Sequence, residues 1–431
     1  MNKVYLGIDI GTTTICGAAI GEDGRFLTSL TKDNGFLSTG IPCEKLQSPD
    51  AIVETVFEIV REMRDKFNIV GIGLSGQMHG ILYVDRDGRA VSPLYSWQDG
   101  RGGLLCRDGK SYADIIGAKP GYGGATHFFL TDKGLLSRRA VKLCTIGDYA
   151  AMCLCGGSEP VCDVTNAASL GLFDLHKGAF DTDRIIENGM DPGFFPTVAP
   201  SFSRVGKTKN GIPVYNCIGD NQAGFLGAVE DKANSVLVNV GTGSQVSLYT
   251  DKPLSVPKTE LRPFPGGGYL VVGASLCGGR AYAMLERFYE EVLTLAGCKV
   301  KMELYEIMER KMYSASLNDP PAVRPTFCGT REDPTLRGAI MSLTEENFHP
   351  VPLAYGMLCG IVGELYEMYA PVEAIVGPRR TIVGSGNGVR LNCVMQSVIG
   401  KVFGGKVCIP VYEEEAACGA AKAARIGSEC N

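Results

Sequence analysis

The first strong pattern in the chain is a near-continuous apolar run at the N-terminus. Val4-Tyr5-Leu6-Gly7-Ile8-Asp9-Ile10 is rich in β-branched residues, holds a single acid, and reads as a buried strand. Gly11-Thr12-Thr13 then turns the chain, Thr14 to Ile20 has strand character again, and Gly21-Glu22-Asp23-Gly24 is a second turn signal. The pattern predicts a β-hairpin whose tip offers small hydroxyl side chains and backbone N–H groups, a shape that wraps an anionic phosphate. Asp9 closes a buried strand, where an unpaired carboxylate is costly and a hydrated Mg2+ would satisfy it. The plainer alternative is an ordinary hairpin that uses Thr for its β propensity. The scheme returns in Ser235 to Tyr249, as an apolar strand, a turn through Gly241-Thr242-Gly243, and a second strand. Two such hairpins, one in each half, predict a duplicated fold with two phosphate-facing loops, and a nucleotide between two domains is its simplest use.

Between the hairpins the pattern switches period. Ser48-Pro49-Asp50 opens a helix in which Ile52, Val53, Val56, Phe57, Ile59, Val60 and Met63 recur at helical spacing. Asn68 to Leu74 is a short buried strand that delivers Ser75-Gly76-Gln77-Met78-His79-Gly80. Gln77 and His79 thus reach a strand end, where α/β proteins place ligands, and an amide with an imidazole suits sugar hydroxyls. For His79 alone, a loop of satisfied polar side chains is the favoured reading. Ser96-Trp97-Gln98-Asp99-Gly100-Arg101 holds the one tryptophan of the chain. Trp97 is either a face for a sugar to stack on or core, and Asp99 with Arg101 is either a hydroxyl-binding group or a structural ion pair. Asp163 to Ser169 reads as a polar small-residue loop. The strand of Pro213 to Gly219 ends where Asp220 starts a helix; Asp220 is an N-cap, a general base, or both. Asn221 and Gln222 add hydrogen-bonding groups for a polyol.

In the second half, Val271 to Ser275 is a strand leading to Cys277-Gly278-Gly279-Arg280. Lys301 to Met312 and Pro352 to Met368 read as helices, and Glu373 to Val376 and Thr381 to Val383 as strands. The latter delivers Gly384-Ser385-Gly386-Asn387-Gly388, a loop that lets backbone approach a ligand closely. It lacks the Lys of a P-loop and the spacing of a dinucleotide fingerprint. Glu413 to Ala421 is a helix of small residues, which permits close helix packing.

Composition narrows the field. At 431 residues the chain has room for two domains, and 45% hydrophobic and 21% charged residues suit a soluble enzyme. A net charge of −5 with scattered Lys and Arg argues against a nucleic-acid groove. No apolar stretch approaches a membrane span, and no signal peptide is expected. The 16 cysteines therefore read as reduced thiols of a cytoplasmic protein. No CxxC pair occurs, and small apolar core fillers are the simpler reading of Cys153, Cys155 and Cys162. Four histidines exclude a His-rich metal site.

Taken in order, Gly7–Thr14, Ser75–Gly80, Gly219–Gln222, Asn239–Gly243 and Gly384–Asn387 resemble the five motifs of the FGGY carbohydrate kinases. These belong to the sugar kinase/heat-shock protein/actin ATPase superfamily. The resemblance runs from Gly7 to about Ala424. It implies an α/β fold of two duplicated actin-like, ribonuclease H-like domains with a central cleft, divided as 1–229 and 230–431. The first would carry the sugar site, first phosphate loop and base, the second the nucleotide. Ser96–Arg101, Gly121–Thr126, Asp148-Tyr149, Asn166–Ser169 and Ala274–Leu276 before Gly278-Gly279 look like the sedoheptulokinase branch. Asn221 is more xylulokinase-like. The implied reaction moves the ATP γ-phosphoryl group to a primary hydroxyl of a ketose, sedoheptulose to sedoheptulose 7-phosphate, with xylulose or another ketose or polyol as alternatives. By the same resemblance Asp220 is the base and Asp9 holds Mg2+. Gly11, Thr12, Thr13, Thr14, Gly241, Thr242 and Gly279 bind phosphates, and Gly384, Gly386 and Asn387 line the adenosine pocket. Gln77, Met78, His79, Trp97, Gln98, Asp99 and Asn221 shape the sugar site. The expected partner is a small-molecule sugar, with no nucleic acid and no membrane; a homodimer stays open. Two readings from other classes also stand at this point: a cluster-bearing activator ATPase, suggested by the cysteines, and a non-catalytic sugar and ATP sensor.

Overall fold

The computed structural model describes residues 1–298, 303–330, 333 and 335–430. The chain forms two compact units, one of Met1–Gly227, Arg262–Gly268 and Glu414–Asn431, the other of Ala228–Leu261 and Tyr269–Glu413. Each is built on a six-stranded sheet. Among the described residues no helix is long and apolar enough to cross a membrane.

The first unit contains β1 (Lys3–Ile10), β2 (Thr14–Gly21), β3 (Phe26–Asp33), α1 (Pro49–Lys66), β4 (Asn68–Gly76), α2 (Ile146–Cys155), β5 (Arg204–Lys207), β6 (Pro213–Gly219) and α3 (Asp220–Ala228). The sheet order is β5-β6-β4-β1-β2-β3. The hairpin expected at the N-terminus is β1 and β2, paired antiparallel from Val4–Gly21 to Ile10–Ile15. On its other side β1 runs parallel to β4, and β4 parallel to β6. The registers place Ile10 and Gly219 both opposite Gly76, so three parallel strands end at one level. Ser48 caps α1 with Pro49 in its first turn, and Ile52, Val56, Ile59 and Met63 are buried at helical spacing. Phe57, which the periodicity places with them, lies off that face and is 44% exposed.

Asp148 shows how burial rather than chemistry perturbs a carboxylate here. It closes the capping box of α2: its carboxylate accepts the Thr145 N–H at 3.0 Å, and the Thr145 hydroxyl accepts the Asp148 N–H at 3.2 Å. Burial pushes its carboxyl up to about 7, against the pull of the Thr145 hydrogen bonds. The folded state thus keeps a proton that the unfolded chain releases near 3.8. This group's contribution to stability falls as the pH rises from 3.8 to about 7 and is level above. Asp148→Asn cannot ionise, so the stability of wild type relative to this variant is expected to decline across that window. Thermal melts at a series of pH values check it, and a difference independent of pH contradicts it.

The second unit contains β7 (Ser235–Val240), β8 (Ser244–Thr250), the start of β9 (Thr259–Pro263), whose Arg262 and Pro263 belong to the first unit, β10 (Tyr269–Ser275), α4 (Gly279–Leu295), α5 (Pro350–Val376), β11 (Thr381–Ser385) and β12 (Val407–Cys408). Its order is β9-β10-β8-β7-β11-β12. The repeated hairpin is β7 and β8, and β7 runs parallel to β11 as β1 does to β4. The duplication is therefore one of topology, with an antiparallel hairpin beside a parallel pair in each sheet. The helix expected over 301–312 is described from Leu304 to Tyr313; residues 301 and 302 lie outside the described residues.

Two local expectations are corrected. Glu373–Val376 is not a strand but the last turn of α5, which runs through Pro371. Leu365, Met368, Tyr369 and Val372 continue its buried face, so packing overrides the proline as a helix stop. Asp163–Ser169 is not all loop: Val164–Ser169 is a short helix capped by Asp163.

The small-residue helix is α6 (Glu415–Cys430), and it packs on the sheet of the first unit. A Cβ on Gly7 of β1 would lie 1.9 Å from the Ala417 carbonyl oxygen, and one on Gly73 of β4 would lie 1.9 Å from that of Ala420. Backbone meets backbone there, which is why both surfaces are made of glycine and alanine.

Candidate active site

The flush ends of β1, β4 and β6 bring three polar groups to one edge. Asp9 precedes the last residue of β1, Ser75 faces it on β4, and Asp220 follows β6. Ser75 Oγ donates to Asp9 Oδ1 at 2.7 Å. Burial pushes the Asp9 carboxyl up to about 7, with the charge of Asp220 acting in the same direction. Burial also raises the Asp220 carboxyl, while hydrogen bonds from Asn221 and the charge of Arg262 pull it down. A carboxylate at a strand edge that a neighbouring acid repels could be satisfied by a hydrated divalent cation, although among the described residues no three His, Cys, Asp or Glu side chains group to hold one directly. Asp9 is the oxygen ligand that fits, with Ser75 fixing one of its oxygens.

Asp220 is held from several sides. The Asn221 backbone N–H and side-chain amide both donate to Asp220 Oδ1, at 2.7 and 2.9 Å. The end of β6 is fastened by the short helix of Val164–Ser169. The Gly219 N–H donates to Thr165 Oγ1 at 2.9 Å, and Asn166 Nδ2 donates to the Cys217 carbonyl at 2.9 Å. Met78 is buried against Gly219, and Arg262 Nη1 lies 3.7 Å from Met78 Sδ. Arg262 is itself buried. Nothing in the sequence around Arg262 signals this role, since it comes from a strand more than forty residues after Asp220.

A chain of hydrogen bonds ties the first loop to the expected sugar segments. Trp97 Nε1 donates to Thr12 Oγ1 at 3.0 Å, and Thr12 Oγ1 in turn reaches Gln77 Oε1 at 3.5 Å. Gln77 Nε2 donates to Gln47 Oε1 at 2.7 Å, and Gln47 Nε2 donates to the Thr12 carbonyl at 2.9 Å. Gln47, fully buried, is a further residue that sequence reasoning missed; its neighbours in sequence carry no motif. Trp97 is 45% exposed and so is not core. Gln98 is exposed beside it. Asp99 is buried in an ion pair with Arg101 at 3.2 Å and accepts the Lys45 N–H, so it holds the loop in place. His79 has φ of +75°, donates from Nδ1 to the Ser169 carbonyl at 2.7 Å, and stacks on Tyr122 with centroids 4.3 Å apart. Its ring orientation and tautomer are thereby set. At the hairpin tip Gly11 is half-buried, Asn34 Nδ2 binds its carbonyl, and Thr13 and Thr14 are exposed.

In the second unit the three expected nucleotide segments meet. The Gly279 N–H donates to the Gly241 carbonyl at 2.8 Å, and the Arg280 N–H to the Thr242 carbonyl at 3.0 Å. A Cβ on Gly279 would lie 2.4 Å from that Gly241 oxygen. Asn239 Nδ2 donates to Ser385 Oγ at 2.8 Å, and Gly386, with φ of +79°, sits against the Val240 carbonyl. Thr242 and Asn387 are exposed at the surface this creates, and Gly384 is buried below it in β11.

Comparison with known proteins identifies the fold and the family. Residues 4–227 match the N-terminal domain, and residues 236–428 the C-terminal domain, of the FGGY family of carbohydrate kinases. Sedoheptulokinase of Mus musculus is 26% identical over 97% of this chain and 96% of its own length. Xylulose kinase of Staphylococcus epidermidis is 24% identical over 99% of this chain and 88% of its own. Among solved structures, gluconate kinase from Lactobacillus acidophilus superposes with a TM-score of 0.87 at 19% identity, covering 100% of this chain and 90% of that one. The fold is thus that of the sugar kinases, and the family match spans both units. The chain belongs to the FGGY family of carbohydrate kinases, ATP-dependent phosphotransferases that take an alcohol group of a small-molecule sugar as acceptor.

Proposed function

We propose that this enzyme phosphorylates a primary hydroxyl of a ketose, with sedoheptulose as its substrate and sedoheptulose 7-phosphate as product. The observation that carries the chemistry is the Asp220 carboxylate, fixed by Asn221 at the end of β6 beside Asp9. Asp220 accepts the proton of the attacking hydroxyl as the new O–P bond forms and ADP departs, so one proton is released per transfer. Asp9 would hold Mg2+ through water, and the ion would offset charge on the phosphates. Gly11, Thr12, Thr13, Thr14, Gly241, Thr242 and Gly279 bind phosphate through backbone N–H and hydroxyl groups, while Gly384, Gly386 and Asn387 take the adenosine. Gln77, Met78, His79, Trp97 and Gln98 contact the sugar, with Asn221 and Asp99 fixing Asp220 and the Trp97 loop. Sixteen unpaired cysteines support a reducing, cytoplasmic setting.

The choice of sedoheptulose rests on the Mus musculus relative and on the Trp97–Arg101 segment. Xylulose is the second reading, favoured by Asn221 and by the Staphylococcus relative. Coupled ADP release with sedoheptulose, D-xylulose, D-ribulose, L-ribulose, D-fructose and glycerol decides between them. The highest kcat/KM is expected for sedoheptulose; a clear preference for xylulose would discard that substrate and keep the mechanism.

A further inference from the structure

The phosphotransfer chemistry uses no thiol, yet two cysteines of the second unit touch beside the Gly279 turn. Cys277 lies between β10 and α4 and is buried; Cys328 lies on the loop after the strand Ala322–Arg324 and is half-buried. Their sulfurs are 3.8 Å apart, in van der Waals contact, although the residues are 51 positions apart in sequence. Arg280 Nη1 donates to Cys328 Sγ at 3.5 Å. The two thiols are not equivalent. The Arg280 guanidinium holds the Cys328 thiol below the ordinary thiol range, while burial pushes Cys277 up to about 12. A cationic neighbour and partial exposure mark a reactive cysteine; a second thiol in contact with it is placed to resolve it.

We propose that Cys328 and Cys277 form a reversible dithiol–disulfide couple that senses hydroperoxides and acts on the second nucleotide loop. The Cys328 thiolate attacks the O–O bond of a hydroperoxide. An S–O bond forms, the O–O bond breaks, the departing hydroxide or alkoxide takes a proton from solvent to leave as water or an alcohol, and the sulfur is oxidised by two electrons to a sulfenic acid. Cys277 gives up its proton and attacks that sulfur; the S–S bond forms, the S–O bond breaks, and water leaves. Two equivalents of a small thiol reverse the couple by exchange.

The consequence for nucleotide rests on the reading of Gly241 and Thr242 as a phosphate loop. Closing the sulfurs from 3.8 Å to ~2.05 Å draws the Cys328 loop onto the turn of Cys277–Arg280. It also removes the anionic sulfur from Arg280. That turn makes the Gly279 and Arg280 hydrogen bonds to the Gly241 and Thr242 carbonyls, so strain there displaces the loop.

The test treats the full-length protein with limiting hydrogen peroxide and maps its peptides by mass without any nucleotide present. A peptide linking Cys277 to Cys328, lighter by two hydrogens, is expected before the exposed Cys298, Cys393, Cys408 and Cys430 are oxidised. It should vanish with dithiothreitol. In Cys277→Ser a sulfenic acid should be trapped by dimedone at Cys328, and Arg280→Gln should slow alkylation of Cys328. Oxidation of those four exposed thiols while Cys277 and Cys328 stay reduced overturns the couple. Calorimetry with MgATP reads the second half. Oxidised wild type should lose most of its binding and recover it on reduction, whereas Cys328→Ser should bind equally before and after treatment. A linked peptide with unchanged MgATP binding overturns the action on the loop. Reduced protein that binds no MgATP would instead refute the reading of the loop itself.

Discussion

Replacing Asp220 by Asn or Ala is expected to lower kcat by about 10²–10⁴-fold while MgATP still binds, because general-base catalysis contributes on that order. The expectation follows from where the chain spends its hydrogen bonds. The Asn221 backbone and side chain both donate to one Asp220 oxygen, which fixes the carboxylate as an acceptor. Arg262 favours the ionised form against burial. Asn keeps the shape and the position as first residue of α3 but cannot take a proton. The N-cap reading of Asp220 predicts a different result, a loss of stability with turnover retained. Thermal melts alongside steady-state kinetics separate the two. Near-wild-type turnover by folded Asp220→Ala would remove the base assignment.

The largest expected effect on stability is at a glycine far from any ligand. Gly73 lies in β4, between β1 and β6 in the sheet, and its missing side chain admits the backbone of α6. The Cβ of Gly73→Ala would sit 1.9 Å from the Ala420 carbonyl oxygen and 3.1 Å from the Ala424 Cβ. Neither neighbour is a flexible side-chain end, so relief requires α6 to lift. Lifting exposes Ala417, Cys418, Ala420, Ala421 and Ala424, all buried now. A cost of about 3 kcal/mol or more is expected, and for a unit of this size a Tm lower by roughly 6–12 °C. Gly35→Ala is the control, since nothing lies within 4 Å of the added methyl. A Tm for Gly73→Ala equal to that of the control would contradict this packing.

How much of this was readable from sequence depends on whether the cause was local. The hairpins β1–β2 and β7–β8 announce themselves because a strand, a Gly-Thr turn and a strand are contiguous. Asp9 and Asp220 are legible for the same reason: each is an acid at the end of an apolar run. The reverse holds for Gln47 and Arg262. Their partners, Gln77 and Thr12 for one and Met78 and Asp220 for the other, are brought by other elements, so nothing beside them marks a site. Val164–Ser169 hid behind Thr, Asn and Ser, which favour loops until Asp163 caps them. Pro371 hid the end of α5 because its cost is local while the packing of Leu365, Met368 and Val372 is not. The alanine-rich composition of α6 foretold close packing, but only the folded chain shows that β1 and β4 of the first unit receive it.

On the proposed reading, phosphoryl transfer with Asp220 as base goes to a sugar hydroxyl. ADP release by the purified protein with MgATP, with and without sedoheptulose, tests it most directly. Release is expected to be slow alone, to rise steeply with the ketose, and to yield one sugar phosphate per ADP. Folded protein that binds ATP but releases ADP at the same rate with and without any sugar of the panel would contradict it.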